Sequence, residues 1–155
     1  MHIRLYNPHD LETVTHLFHE TVHTINIHDY SQEQIDAWAS LDKAQIERLK
    51  NDLAHNISYV AQKDGTIIGF GTLTKHGYID MIYTHKDYQG RGVATAIYHQ
   101  LEDEALRLCI QTLHTQASIT ALPFFEKRGF HQVCENHKVV RGIKFLNFIM
   151  EKKLV

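Results

Sequence analysis

The chain is poor in the features that would hand it an obvious chemistry. It has two cysteines, Cys109 and Cys134, too few and too far apart for a zinc knuckle, so they read as reduced thiols of a cytoplasmic protein. No apolar run approaches the roughly 18 residues that a membrane span needs. The first residues include Arg4, Asp10 and Glu12 and lack the apolar core of a signal peptide. The net charge of −2 provides no general footprint for nucleic acid. There is no repeat, linker or low-complexity segment. A length of 155 residues fits one domain, 1–155, and a chain of this size buries about 70% of its unfolded surface without a metal or disulfide staple.

What is present is a strong alternation of elements. "HIRLY" reads as a short strand. Leu11, Val14, Leu17, Phe18, Val22 and Ile25 mark one face of a helix. Ser31 followed by Gln34 is a capping-box signature for a second helix, and "KAQIERLKNDLAH" for a third follows. "ISYVAQK" and "TIIGFGTLT" are strands joined by Asp64-Gly65, a hairpin signal. "YIDMIYT", 78–84, is a further strand. A helix from about 92 to 109, a strand ending "HTQAS", a short helix "ALPFFEKRG" and two strands hinged at Arg141-Gly142 complete the order. This predicts a mixed α/β fold with helices packed on both faces of the sheet.

Charge is unevenly distributed. From Leu5 to Asp42 there are seven acids and no lysine or arginine, whereas from Lys43 onward lysine and arginine exceed acids by 4. His16, His19 and His23 share a helical face well away from the apolar stripe and read as exposed rather than metal-binding. Tyr30 and Trp38 read as core more readily than as a binding platform.

The stretch "DYQGRGVATA" sets Gly90 and Gly92 where a helix begins. A helix start presents unpaired N–H groups and a partial positive charge, and glycine lets a phosphate approach. A tight turn needing glycine for its dihedrals is the other reading. A P-loop would need Gly-Lys-Ser/Thr, which is absent. A dinucleotide fingerprint would need a third glycine at Thr95 and an acid ending the next strand, and both are missing.

Gln89-Gly90-Arg91-Gly92-Val93-Ala94 matches Gln-x-x-Gly-x-Gly/Ala. Together with "YIDMIYTHKDYQGRGVA", "ASITALPFFEKRGF" and the element order, it resembles the GNAT superfamily of N-acetyltransferases over nearly the whole chain. The resemblance implies a mostly antiparallel mixed sheet whose fourth and fifth strands splay apart. It implies acetyl-CoA as co-substrate, with its pyrophosphate on the amides of Gly90 through Thr95, Arg91 adding charge, and its pantetheine along Ile82, Tyr83 and Thr84. Gln89, Val93, Ala94, Ser118, Phe124 and Phe125 complete the expected cofactor contacts. The expected reaction is direct attack of an amine on the thioester, with an amide donor facing the developing oxyanion.

Asp80, the lone acid on the fourth strand, is the candidate general base or water-organiser, on a face shared with Ile82 and Thr84. His114 is the runner-up, with a half-buried structural histidine as its other reading. The sequence departs from the family where an asparagine is Ser118 and a tyrosine is Phe125. That tyrosine commonly protonates the departing thiolate. Here either another hydroxyl, Tyr83 or Ser118, has replaced it, or the thiolate leaves unaided. The acidic 5–42 segment favours a small cationic amine as acceptor, solvated helix faces being the plainer reading. A protein lysine or N-terminus, and a CoA-binding sensor without efficient turnover, are the alternatives. The partners expected are acetyl-CoA and an amine, without nucleic acid or membrane, and a homodimer is left open.

Overall fold

The computed structural model describes residues 1–155. Seven strands form one sheet: β1 (His2–Leu5), β2 (Ile57–Lys63), β3 (Thr66–Leu73), β4 (Tyr78–Thr84), β5 (Thr112–Ser118), β6 (His131–Val140) and β7 (Ile143–Lys153), in the spatial order β1-β2-β3-β4-β5-β7-β6. Every neighbouring pair is antiparallel except β4 and β5. Five helices connect them: α1 (Leu11–Thr24), α2 (Gln32–Trp38), α3 (Lys43–His55), α4 (Val93–Arg107) and α5 (Leu122–Lys127). No helix is long and apolar enough to cross a membrane.

Local chemistry sets the boundaries. Ser31 and Gln34 form the capping box that starts α2, and the Asp42 carboxylate accepts from the Gln45 amide to start α3, each satisfying donors that a helix start leaves unpaired. Asp64-Gly65 and Arg141-Gly142 both adopt left-handed backbone in two residues, the conformation that matches the twist of a tight hairpin.

The core has two layers, one per sheet face. On one, Ile68, Leu73, Ile79, Ile97, Leu101, Leu113 and Met150 pack with α4 and α5. On the other, Val14, Leu17, Val22, Ile35, Leu53, Val60 and Phe70 pack with α1, α2 and α3. The apolar stripe predicted for α1 is this second layer's centre: Val14 and Val22 are completely buried.

One close approach positions the whole first layer. A Cβ placed on Gly71 of β3 would lie 2.6 Å from Ile97 Cγ2 and 3.1 Å from the Met81 carbonyl oxygen. The absence of a side chain there lets α4 lie against the sheet. Forcing extra atoms into a filled core costs about 1–3 kcal/mol. Gly71→Ala is therefore expected to lower the urea midpoint by that amount of stability with an unchanged slope of unfolding free energy, measured by equilibrium denaturation.

Candidate active site

β4 and β5 are paired at only two positions, Tyr78 with His114 and Ile79 with Thr115. The junction is pinned where they meet: the Thr115 hydroxyl donates to the Ile79 carbonyl (2.8 Å) and the His114 amide to the Gly77 carbonyl (2.9 Å). Beyond that point the strands part, so the β5-facing edge of β4 from Met81 to Thr84 has no strand beside it. The register of β4 against β3 shifts at the same place, from Leu73–Ile79 to Thr72–Met81, leaving Asp80 as an extra, unpaired residue. A bulge of this kind re-aims side chains.

The bulge corrects one sequence expectation. Strict alternation puts Asp80 on a face with Ile82 and Thr84. Ile82 instead packs against the α4 layer, whereas Asp80 lines a cavity with Met81 and Tyr83 on the α1–α3 side. Alternation fails because one inserted residue reverses the face of everything before it.

Two cavities meet here. The smaller, about 210 Å³, runs between the parted strands and is lined by Ile82, Thr84, Gln89, Ala94, Phe124 and Phe125 among others. The larger, about 460 Å³, lies between α2, α3 and the β6–β7 hairpin. Six residues line both: Trp38, Asp80, Met81, Tyr83, Gln116 and Ser118.

The glycine turn stands between β4 and α4. Gly90 and Gly92 have φ of +70° and +80°, so the dihedrals do require glycine. A Cβ on Gly92 would meet nothing within 4 Å, so the space above the turn is open as well. No backbone hydrogen bond engages the amides of Gly90, Arg91, Gly92, Val93, Ala94 or Thr95. Six consecutive bare amides at a helix start can hold an anion. The Val93 side chain is buried, so only its amide faces this way. Arg91 is exposed and lies over the Tyr88 ring at 5.3 Å.

Several expected contact residues have structural partners. The Gln89 side-chain amide donates to the Thr84 carbonyl (2.8 Å), and the Thr21 hydroxyl donates to the same oxygen (2.9 Å); both brace the end of β4. The Thr84 hydroxyl is buried and without a partner. Ser118 Oγ accepts from the Ala121 amide (3.0 Å), leaving its own proton free to donate. Phe125 packs edge-on against Phe124 and Phe130 at 5.2 and 5.1 Å. Arg128 was not singled out in the sequence. Its guanidinium stacks on Phe124 at 4.0 Å and donates to the Thr95 hydroxyl, clamping α5 to the first turn of α4.

Electrostatics distinguish the carboxylates. Asp80 reaches cavity solvent, but burial among the walls raises its pKa, Asp52 raises it further and Lys138 opposes the shift. Asp52 is also raised by burial, against the pull of Arg48 and His55. The Tyr78 hydroxyl is pushed up to about 12, chiefly by burial with Asp80 adding to it. Burial raises Tyr83 too, with Trp38 donating toward its oxygen in opposition, so its phenol keeps its proton at neutral pH.

Other expected residues fall elsewhere. His114 stacks on Tyr78 at 5.3 Å and lines neither cavity. His19 and His23 are half-buried rather than exposed, and both donate to the Ala39 carbonyl at 2.9 Å. The segment after α2 folds back over α1, a contact that no helical wheel of α1 contains. Tyr30 is core, its hydroxyl donating to the Leu146 carbonyl (3.0 Å) and accepting from the Ile119 amide (2.9 Å), while Trp38 lines both cavities. None of the seven acids between 5 and 42 lines the larger cavity. The cavity acids are Asp52 and Asp80, from α3 and β4.

A sheet opened between two parallel strands, with a bare amide turn at the head of the next helix, defines an acyl-CoA-dependent N-acyltransferase. Comparison with known proteins agrees. The family description "Acetyltransferase (GNAT) domain" matches residues 26–154. The uncharacterized N-acetyltransferase YafP of Escherichia coli (strain K12) is 36% identical over 151 residues, covering 97% of this chain and 95% of that protein. A GCN5-related N-acetyltransferase structure from Rhodopseudomonas palustris superposes with a TM-score of 0.92 at 33% identity, covering 99% and 95% of the two chains. The PaiA N-acetyltransferase of Thermoplasma acidophilum, solved with coenzyme A, shares the fold at a TM-score of 0.80 and 22% identity over 98% of each chain. The chain belongs to the GNAT acetyltransferase family, with acetyl-CoA as its co-substrate.

The open turn yields a test. Gly92→Val adds a branched side chain above the bare amides and imposes a left-handed backbone on a residue that resists it, at about 1–2 kcal/mol. Isothermal titration with CoA is expected to show at least a tenfold weaker Kd, with unfolding free energy reduced by no more than that strain.

Proposed function

We propose that the protein transfers acetyl from acetyl-CoA to a small amine, cationic in solution, held in the larger cavity. The observation that carries this reading is the seam: one set of six residues, Asp80 among them, lines both the gap between the parted strands and the cavity beside it. An acyl donor in the first and an acceptor in the second would meet at Asp80.

Acetyl-CoA supplies the activated acetyl group, and the chain's residues bind, orient and move a proton. The amides of Gly90 through Thr95, with Arg91, take the pyrophosphate. The open edge at Ile82, Tyr83 and Thr84 accepts an extended arm by strand addition, with Ala94, Phe124 and Phe125 as its apolar wall. Gln89 and Ser118 keep the two sides of the gap in place. An aliphatic ammonium has a reference pKa of about 10.4 and must lose a proton before it attacks. Asp80 takes that proton, directly or through water, and Asp52 adds attraction for the cation. The exposed, unpaired state of Cys109 and Cys134 suits a reducing, cytoplasmic setting.

Asp80→Asn is expected to lower kcat by about 10²–10⁴-fold with CoA affinity retained. Asp80 works only when unprotonated, so wild-type kcat should rise with pH through a midpoint above the ordinary carboxylate range, and the variant should lose that rise. The sign for stability is opposite. A carboxyl whose pKa is raised by folding contributes stability below its unfolded pKa and loses it as pH climbs through the folded value. At neutral pH the asparagine variant should therefore melt no lower than wild type. Wild-type turnover of a confirmed acceptor by the variant at every pH would remove Asp80 from this role.

Phe125 has no proton to give. A thiol of reference pKa about 8.5 is a good leaving group near neutrality, so the thiolate departs unaided. Tyr83→Phe and Ser118→Ala should then each keep kcat within about tenfold, with a shallow alkaline limb. A loss of two orders of magnitude in either, with CoA binding intact, would place the acid on that hydroxyl.

A further inference from the structure

The larger cavity holds charges of both signs, and four of them make no direct contact with a partner. Arg48 and Asp52 project from α3 one turn apart, Lys138 comes from β6, and Asp80 comes from the β4 bulge. Arg141 also lines the cavity, but it is tied to Asp42. Neither Arg48 nor Lys138 makes a salt bridge or donates a side-chain hydrogen bond within the protein, and the carboxylates of Asp52 and Asp80 accept none. By contrast, three acids of the 5–42 segment have partners outside the larger cavity: Asp10 with Arg4, Glu20 with Lys86 and Asp29 with the Thr120 hydroxyl.

The charges are also ordered. Asp80 is at the seam with the smaller cavity, whereas Arg48, Lys138 and Asp52 line only the larger one, two cations against one acid. The same cavity has apolar walls, with Trp38 edge-on to Tyr30 at 5.3 Å and to Phe145 at 6.2 Å. There the second ammonium of a diamine would meet two cations and one acid, a net like charge that repels it. A lone anion would leave the acids without a partner and offer no nucleophile.

We infer that the acceptor is a small zwitterion, with its amine at Asp80 and an oxyanion group, a carboxylate or phosphonate, at Arg48 and Lys138, joined by an apolar body. This rests on the acetyl-transfer reading above and narrows its acceptor. The guanidinium of Arg48 suits a two-oxygen anion through paired N–H donors, and Lys138 adds a point charge. An ω-amino acid of this kind has no net charge, so its recognition depends on the separation of its two charges.

The test uses matched acceptors on the intact protein with acetyl-CoA, read by thiol release: an ω-amino acid, the alkylamine of the same length, the corresponding diamine, and an aminoalkylphosphonate. The ω-amino acid or the phosphonate should exceed the diamine in kcat/KM by about ten- to a hundredfold, as charge-assisted hydrogen bonds imply. Which of these two leads identifies the anion. Arg48→Glu and Lys138→Glu are exposed substitutions, and each should reverse the preference toward the diamine; thermal melting confirms that they are folded. Three results would overturn the inference: a wild-type preference for the diamine, a ratio that neither variant changes, or acetylation of peptide N-termini with all small zwitterions inert. If any of these occurs while Asp80→Asn still abolishes turnover, acetyl transfer stands and only the zwitterion falls. No thiol release with any acceptor overturns both.

Discussion

From Met81 to Thr84 the outer edge of β4 has no strand beside it, in the middle of a seven-stranded sheet. Backbone donors and acceptors in such a place need partners, and an exposed strand edge invites an extended chain. The remainder of the site can be understood as holding that edge open. Pairing at Tyr78–His114 and Ile79–Thr115 pins one end, and the Thr115 hydroxyl adds a bond to the Ile79 carbonyl. Thr21 and Gln89 converge on the Thr84 carbonyl at the other. The bulge at Asp80 falls where the strands begin to part, so the only acid of β4 stands where the gap and the second cavity meet.

Packing supports the same geometry from behind. Gly71 allows α4 to sit directly on β3, which fixes where the first turn of α4 presents its amides. Arg128, stacked on Phe124 and bonded to Thr95, joins α5 to that turn. The aromatic cluster of Phe124, Phe125 and Phe130 fills the space beneath. Phe125 therefore contributes wall and core, and its missing hydroxyl moves the question of proton donation to Tyr83 and Ser118, which both stand at the seam. Raised by burial, the Tyr83 phenol stays protonated at neutral pH, while Ser118 uses its oxygen to hold α5 and keeps its proton.

Much of this is legible in local sequence because it depends on local chemistry. A capping box, two left-handed hairpin turns and an apolar stripe need only neighbours within a few positions, and Ser31, Asp64-Gly65 and α1 formed as such signals require. The glycine turn was legible for the same reason: bare amides at a helix start follow from Gly90 and Gly92 and the helix behind them. Faces and partners were less accessible. Alternation put Asp80 with Ile82 and Thr84, and one bulged residue undid it. A helical wheel left His19 and His23 in solvent, and the backbone after α2 came to cover them. The acid-rich segment suggested an acidic wall for a cationic amine, yet none of its carboxylates lines the larger cavity.

The amino-acid sequence by itself determined the element order, the helix and hairpin boundaries, the anion-ready turn and the family, since each is carried by residues adjacent in the chain. Only the tertiary structure decided which side of the sheet Asp80 faces and which charges share a cavity. Arg48, Asp52, Asp80 and Lys138 come from α3, β4 and β6, up to 90 positions apart in the chain. Their proximity exists only after the β6–β7 hairpin and α3 have closed over the same stretch of sheet, so no spacing in the sequence could have announced it.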